Sequence, residues 1–272
     1  MGGHLGGLVG LVIVTVVVAA ALFAPWLATH DPDALDVMNR FAGPSWQHWL
    51  GTDHLGRDLY SRLIHGARVA MAVAVTAIAL ALTVGTLLGI LAASLPARSE
   101  RFILILFDII SSFPSLVLAL AVVAVFGPST LLVVIIVAVT LIPHFGRVAR
   151  AQVLTVATAP FIEAERILGA SFPRIVLSHL LTNIAGPLVV LASMDVPVVI
   201  TIEAGLSFIG LGVRPPLASW GTLIYDGYAY LSDSTLPVLI SSAALGIATL
   251  GFTLFGEALR DAVDPRLNRD HG

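Results

Sequence analysis

The sequence predicts an all-α polytopic membrane protein. It has six transmembrane helices, a long extracytoplasmic first loop and a two-helix loop on the cytoplasmic side. Three observations predict this. The chain is 57% hydrophobic and only 11% charged over 272 residues, whereas a soluble domain carries about 25% charged residues. Six apolar runs approach or exceed the length of a spanning helix, about 20 residues. The runs are continuous, not alternating, which selects helices over barrel strands.

In order, the runs are Leu5–Ala28, Val69–Leu95, Phe102–Phe126, Thr130–Phe145, Ile184–Ile209 and Thr235–Phe255. The first has no basic flank before it and no small-residue cleavage site after it, so it reads as a retained span. The fourth is the shortest, with Pro143 near its end. The implied organisation is a first span in residues 1–29, an outer loop in 30–68, a core in 69–257 containing a polar loop at 146–182, and a tail in 258–272. With six spans both termini share a side. Nine of the 14 arginines fall on that side, which predicts that it is cytoplasmic. The outer loop starts acidic (Asp31, Asp33, Asp36) and then carries Trp46 and Trp49, suited to a membrane–water interface.

Composition also excludes chemistry. There is no cysteine, so disulfides, thiolate metal sites and cysteine nucleophiles are absent. Every basic residue is arginine, which removes lysine chemistry and any Gly-Lys-Ser/Thr phosphate loop. A net charge of −3 gives no reason to expect nucleic acid.

The polar island from Gly146 to Thr182 is the strongest functional clue. Thr158 or Ala159 caps a short helix, Pro160 suits its first turn, and Glu163 and Glu165 lie near its positive end. Phe161, Ala164, Ile167 and Leu168 share one face. Gly169 permits a left-handed stop, and Ser171 restarts a helix with Pro173 in its first turn. An apolar stripe beside carboxylates suits a groove on a partner protein. A plain interfacial linker is the other reading of the same residues.

Glu163-Ala164-Glu165…Gly169, followed by His179-Leu180-Leu181-Thr182-Asn183, resembles the E-A-A loop of ABC-transporter permeases. Two positions depart from that pattern: Glu165 stands where alanine is usual and Thr182 where proline is usual. Two further segments narrow the resemblance to the dipeptide, oligopeptide and nickel permease group. One is Leu50-Gly51-Thr52-Asp53-His54-Leu55-Gly56-Arg57-Asp58, continuing to Arg62 and Arg68. The other is Glu203-Ala204-Gly205-Leu206-Ser207-Phe208-Ile209-Gly210-Leu211-Gly212, then Pro215-Pro216 and Ser219-Trp220-Gly221. Asp264-Pro265-Arg266-Leu267 is similar to the group's usual ending. The long outer loop points to the second of two permease subunits.

The resemblance implies a bacterial inner-membrane importer subunit with no catalytic residue and no cofactor of its own. Its implied partners are a second permease subunit, two ATPase subunits that hold ATP and Mg, an extracytoplasmic substrate-binding protein, and membrane lipid. Glu163 would anchor the loop in an ATPase cleft, Ala164 would pack there, and Gly169 would allow the bend. Dipeptides or oligopeptides are the expected cargo, with nickel or haem as alternatives on the same scaffold.

Single residues remain to be weighed. Asp195 lies mid-span, two residues before Pro197. An ionisable group at that depth costs about 2.5–3.5 kcal/mol on insertion scales and marks either a transport path or a buried pairing. Asp108 is expected to pair with an arginine. Glu203 is expected to contact a binding protein or to cap an outer helix. His30, His48, His54 and His65 share the outer loop, but their spacing follows no helical repeat and no metal site is expected. Leu206-Ser207-Phe208 is flanked by Gly205 and Ile209, not by the pair of glycines of a nucleophile turn, which disfavours an intramembrane hydrolase. A secondary transporter would need an internal repeat that the sequence does not display.

Overall fold

The computed structural model describes residues 2–263, except for the side chains of residues 2–4 and of Ala164, Arg166, Phe172, Pro173 and Leu177. The Asp264–Leu267 motif therefore lies outside the described residues, as does the side chain of Ala164. Ten α-helices follow in order: α1 (Gly2–Leu27), α2 (Leu59–Ser94), α3 (Ala97–Ser111), α4 (Ser115–Phe126), α5 (Thr130–Ala157), α6 (Pro160–Ile167), α7 (Phe172–Ile175), α8 (Leu181–Phe208), α9 (Trp220–Ala229) and α10 (Leu236–Val263). A π-helical turn, Val176–Leu180, joins α7 to α8.

Five of the helices are long and apolar enough to cross a membrane. Helices α3 and α4 reach that length and hydropathy only as a pair, bent by 82° at the break between them. This corrects the continuous third span expected over Phe102–Phe126. Pro114 is the cause: it caps α4 and disfavours a helical conformation at Phe113 before it. Hydropathy averages over such a break because both arms are apolar.

Two other boundaries move. Helix α2 begins at Leu59, so residues 59–68 belong to a helix and not to the outer loop. Helix α5 runs through Pro143 to Ala157, so the first third of the polar island is helix, with Gly146, Ala149 and Val153 buried. The short helices of the island start at Pro160.

Helix α2 is the centre of the bundle and packs chiefly on α5, with α1 and α8 on its other sides. Lipid is as apolar as leucine, so such helices associate by close contact between small residues. Ala70, Ala74, Ala77 and Ala81 are all buried on α2, and the stripe continues as Gly85 and Gly89. A Cβ at Gly85 would meet the Ile142 carbonyl at 2.7 Å and the Gly146 nitrogen at 3.1 Å. The α2 and α5 backbones thus touch where only glycine fits. Helix α1 uses the same device on α10: a Cβ at Gly10 would meet the Phe255 nitrogen at 2.6 Å. Leu5, Leu8, Val12, Val16 and Leu22 of α1 remain exposed, as expected for side chains that face lipid.

Candidate functional site

One end of the bundle carries the α6–α7 element. Helix α6 starts from Ala159, whose carbonyl accepts from the Ile162 and Glu163 amides, while the Thr158 hydroxyl turns back to the Thr155 carbonyl; Ile162 is fully buried. The stop is a Schellman motif: Ala170 N–H donates to the Glu165 carbonyl at 3.0 Å, with Gly169 at φ +80°. A Cβ at Gly169 would meet nothing within 4 Å, so glycine is required there by conformation and not by space. Ile167 and Leu168 are 85% and 83% exposed, and Glu163 is exposed beside them. Phe161 is half-exposed and meets His179 edge-on, with centroids 6.0 Å apart.

Both departures from the E-A-A pattern have local structural roles. Glu165 lies 3.5 Å from Nε2 of His179, which sits in the π turn. The extra acid therefore ties α6 to the π turn from which α8 continues. The Thr182 hydroxyl donates back to the Ser178 carbonyl at 3.4 Å, and the Asn183 amide donates to the His179 carbonyl at 2.7 Å. These bonds serve carbonyls in and beside the π turn, where the regular ladder is interrupted.

In the body of the bundle Asp195 is 8% exposed, and its Oδ2 has no hydrogen-bond partner. His144 on α5 is its neighbour, with Nε2 at 3.8 Å. Sequence reasoning missed His144, which looked like the end of a span. Asp108 takes the expected arginine: Arg147 Nη2 donates to its Oδ1 at 2.8 Å. Glu203 is not at a surface. It is fully buried and accepts a hydrogen bond from the Ser207 hydroxyl at 2.7 Å, while Ser207 accepts from the Val213 N–H at 3.0 Å. The Glu203–Gly212 motif is thus a helix stop. Leu211 N–H donates to the Leu206 carbonyl at 2.8 Å, with Gly210 at φ +78°. In this chain Glu203 serves that stop and presents no exposed surface. Trp220 fixes α9 to α2 by donating from Nε1 to the Leu63 carbonyl at 3.0 Å.

At the other end the Gly51–Asp58 motif builds a locked loop. Asp53 is buried and accepts from the Leu55 and Arg57 amides at 2.8 and 2.9 Å and from Arg57 Nε at 2.6 Å. Arg57 reaches on to Asp226 of α9 at 3.3 Å. Arg62, also buried, contacts Asp33 at 3.3 Å and Asp53 at 3.6 Å. Gly51 and Gly56 both have positive φ, and a Cβ at Gly56 would overlap the Asp36 backbone. Asp58 caps α2 through the Ser61 N–H at 2.8 Å. Burial alone would raise the Asp58 carboxyl, but the Ser61 hydroxyl and amide, His48 and His30 outweigh it and hold it below its ordinary range. Burial also lowers His54 and raises Asp226, each partly offset by the other's charge.

A family model described as the inner membrane component of binding-protein-dependent transport systems matches residues 85–269. The chain belongs to that family of ABC-importer permeases. A second model, the N-terminal membrane domain of oligopeptide transport permease C, matches residues 4–44 of this permease. A probable D,D-dipeptide transport permease from Escherichia coli is 39% identical over 94% of this chain and 86% of its own. A dipeptide permease from Alkalihalophilus pseudofirmus is 36% identical over 96% and 86%. The nickel transport permease of E. coli is 35% identical over 96% and 94%. Among solved structures, the inward-facing MetNI methionine ABC transporter superposes with a TM-score of 0.61 at 19% identity, covering 75% of this chain and 96% of that one. That likeness concerns the fold. A permease of this family is a membrane subunit of an importer and is not itself the ATPase.

Proposed function

We propose that this permease forms half of a translocation pore for dipeptides or oligopeptides and that its α6–α7 element docks on an ATPase subunit. The observation that carries the docking reading is the exposed Ile167–Leu168 pair beside Glu163 on a short, firmly capped helix. Exposed aliphatic side chains next to carboxylates at the bundle end belong in a partner's cleft. Movement of that partner would reach α8 directly, because Glu165 and His179 link α6 to the π turn from which α8 continues. A second permease subunit, two ATPases holding ATP and Mg, and an extracytoplasmic binding protein complete the proposed complex. Both termini then face the cytoplasm.

The peptide reading rests on relatives: dipeptide and peptide permeases are 36–39% identical over most of the chain. Nickel is the second reading, supported by the 35% identical nickel permease. Asp195 with His144 is the proposed polar contact in the path, an acid able to meet a peptide ammonium group.

The test is reconstitution with the partner subunits and binding protein. Gly169→Val should abolish substrate-stimulated ATP hydrolysis while leaving the complex folded, and unchanged coupling would sink the docking role. Asp195→Asn should lower dipeptide uptake; full uptake of di- and oligopeptides would remove Asp195 from the path.

A further inference from the structure

Three side chains distant in sequence meet at the end of the bundle opposite α6. His30 follows α1, His48 lies in the loop, and Asp58 caps α2. The His48 Nδ1 is 3.0 Å from Asp58 Oδ1, and the His30 Nδ1 is 3.9 Å from the same oxygen. One ligand atom from each residue lies within 4.8 Å of the other two. The two imidazoles face one another with centroids 4.7 Å apart and planes 32° apart.

These distances bracket the spacing of a tetrahedral metal centre. Bonds of about 2.0–2.1 Å to nitrogen and oxygen separate ligand atoms by roughly 3.3 Å. His30, whose Nδ1 also lies 3.0 Å from the Thr29 hydroxyl, is the ligand that has to move closer to Asp58. The carboxylate is already oriented for the task. Its Oδ2 accepts from the Ser61 amide at 2.8 Å and the Ser61 hydroxyl at 2.7 Å, which leaves Oδ1 aimed at the histidines. Supporting bonds of this kind position metal ligands. The His30 main-chain N–H donates to the same Ser61 hydroxyl at 3.1 Å, so the backbones bearing two of the ligands share one anchor. Side-chain exposure falls from 40% at His30 to 15% at His48 and 1% at Asp58. An ion therefore has a route in and a position left for water.

We propose that His30, His48 and Asp58 form a site for a divalent transition metal of the zinc class, which staples the end of α1 to the start of α2. Two imidazoles and one carboxylate are the donor set of zinc-type ions, not of calcium or magnesium, which take oxygen. Binding through Nδ1 requires the Nε2–H tautomer of each neutral imidazole, with Asp58 as the carboxylate. A second group, Asp53, His54 and Asp226, also comes together. It is already neutralised by Arg57, and the cavity that it lines leaves no room for a water-sized occupant. Asp58 Oδ2 is held by Ser61 and Thr29, and the titratable neighbours of its Oδ1, among the described residues, are the two histidines.

The full-length chain, purified in detergent and stripped with a chelator, is dialysed against Zn²⁺ with Mg²⁺ in excess and its metal content measured. One zinc per chain is expected. His30→Gln and His48→Gln should each weaken binding by on the order of tenfold or more. Asp58→Asn, which keeps an acceptor for the Ser61 amide, should do the same, whereas His54→Gln should not. Cobalt should give the visible absorption of a tetrahedral centre, lost in the His48→Gln chain. Wild-type chain that retains no zinc, or a His30→Gln/His48→Gln double variant that binds as wild type does, would overturn the assignment.

Discussion

The two ends of the bundle are built on opposite principles. The Gly51–Asp58 end is closed on itself: buried charges are paired within the chain, and two glycines lie hard against neighbouring backbone. The Pro160–Leu180 end is open. It buries Ile162, Ile175 and Leu180, but it also has exposed aliphatic side chains and a glycine with empty space around it. Both segments match family motifs, but for different physical reasons. The first motif is needed to hold this chain together. The second leaves Ile167 and Leu168 uncovered within this chain, as the proposed docking on an ATPase subunit requires.

Substitutions that separate stability from coupling test this contrast. The largest effect is expected for Asp53→Ala, which strips Arg57 and Arg62 of a buried counter-charge. A loss of about 3–5 kcal/mol is expected, measured as unfolding of the detergent-solubilised chain. Gly56→Val should follow at roughly 2–4 kcal/mol, the sum of left-handed strain and overpacking. Gly169→Val carries the strain without the overlap, about 1–2 kcal/mol confined to α6. The same measurement should find the bundle midpoint nearly unmoved, while coupling in the assembled complex is lost. If Gly56→Val and Gly169→Val destabilise equally, the contrast between the ends fails.

Asp58 adds a dependence on acid. Its folded carboxyl is held below its ordinary value of 3.8, so its stabilising contribution is fully present above that pH and is lost as the pH falls below it. An acid titration of stability should therefore be shallower for Asp58→Asn than for wild type. The smallest effect is expected at Arg147→Ala. That pair is 44% and 72% exposed, and exposed ion pairs contribute at most about 1 kcal/mol.

Much of the architecture was legible because bilayer crossing leaves a length and a composition in the sequence. The E-A-A element was legible because caps, glycine stops and acid placement act within a few residues. The misreadings share a cause. Arg62, His65 and Arg68 made residues 59–68 look like a loop, yet Arg62 is buried within α2 because Asp33 and Asp53 come to it from elsewhere. Glu203 falls in the fifth span, but its partners, Ser207 and the returning loop, come from the turn that follows. The bend at Pro114 divides a run that remains apolar on both sides.

By itself the sequence determined what depends on local chemistry: a helical membrane protein, the position of its water-facing element, and the glycines at its turns. Tertiary structure alone decided which polar groups are partnered. It set His144 beside Asp195, His179 beside Glu165, and His30 and His48 around Asp58. Electrostatic and ligand contacts act over a few ångströms in space, and sequence separation does not encode that distance until the helices have packed.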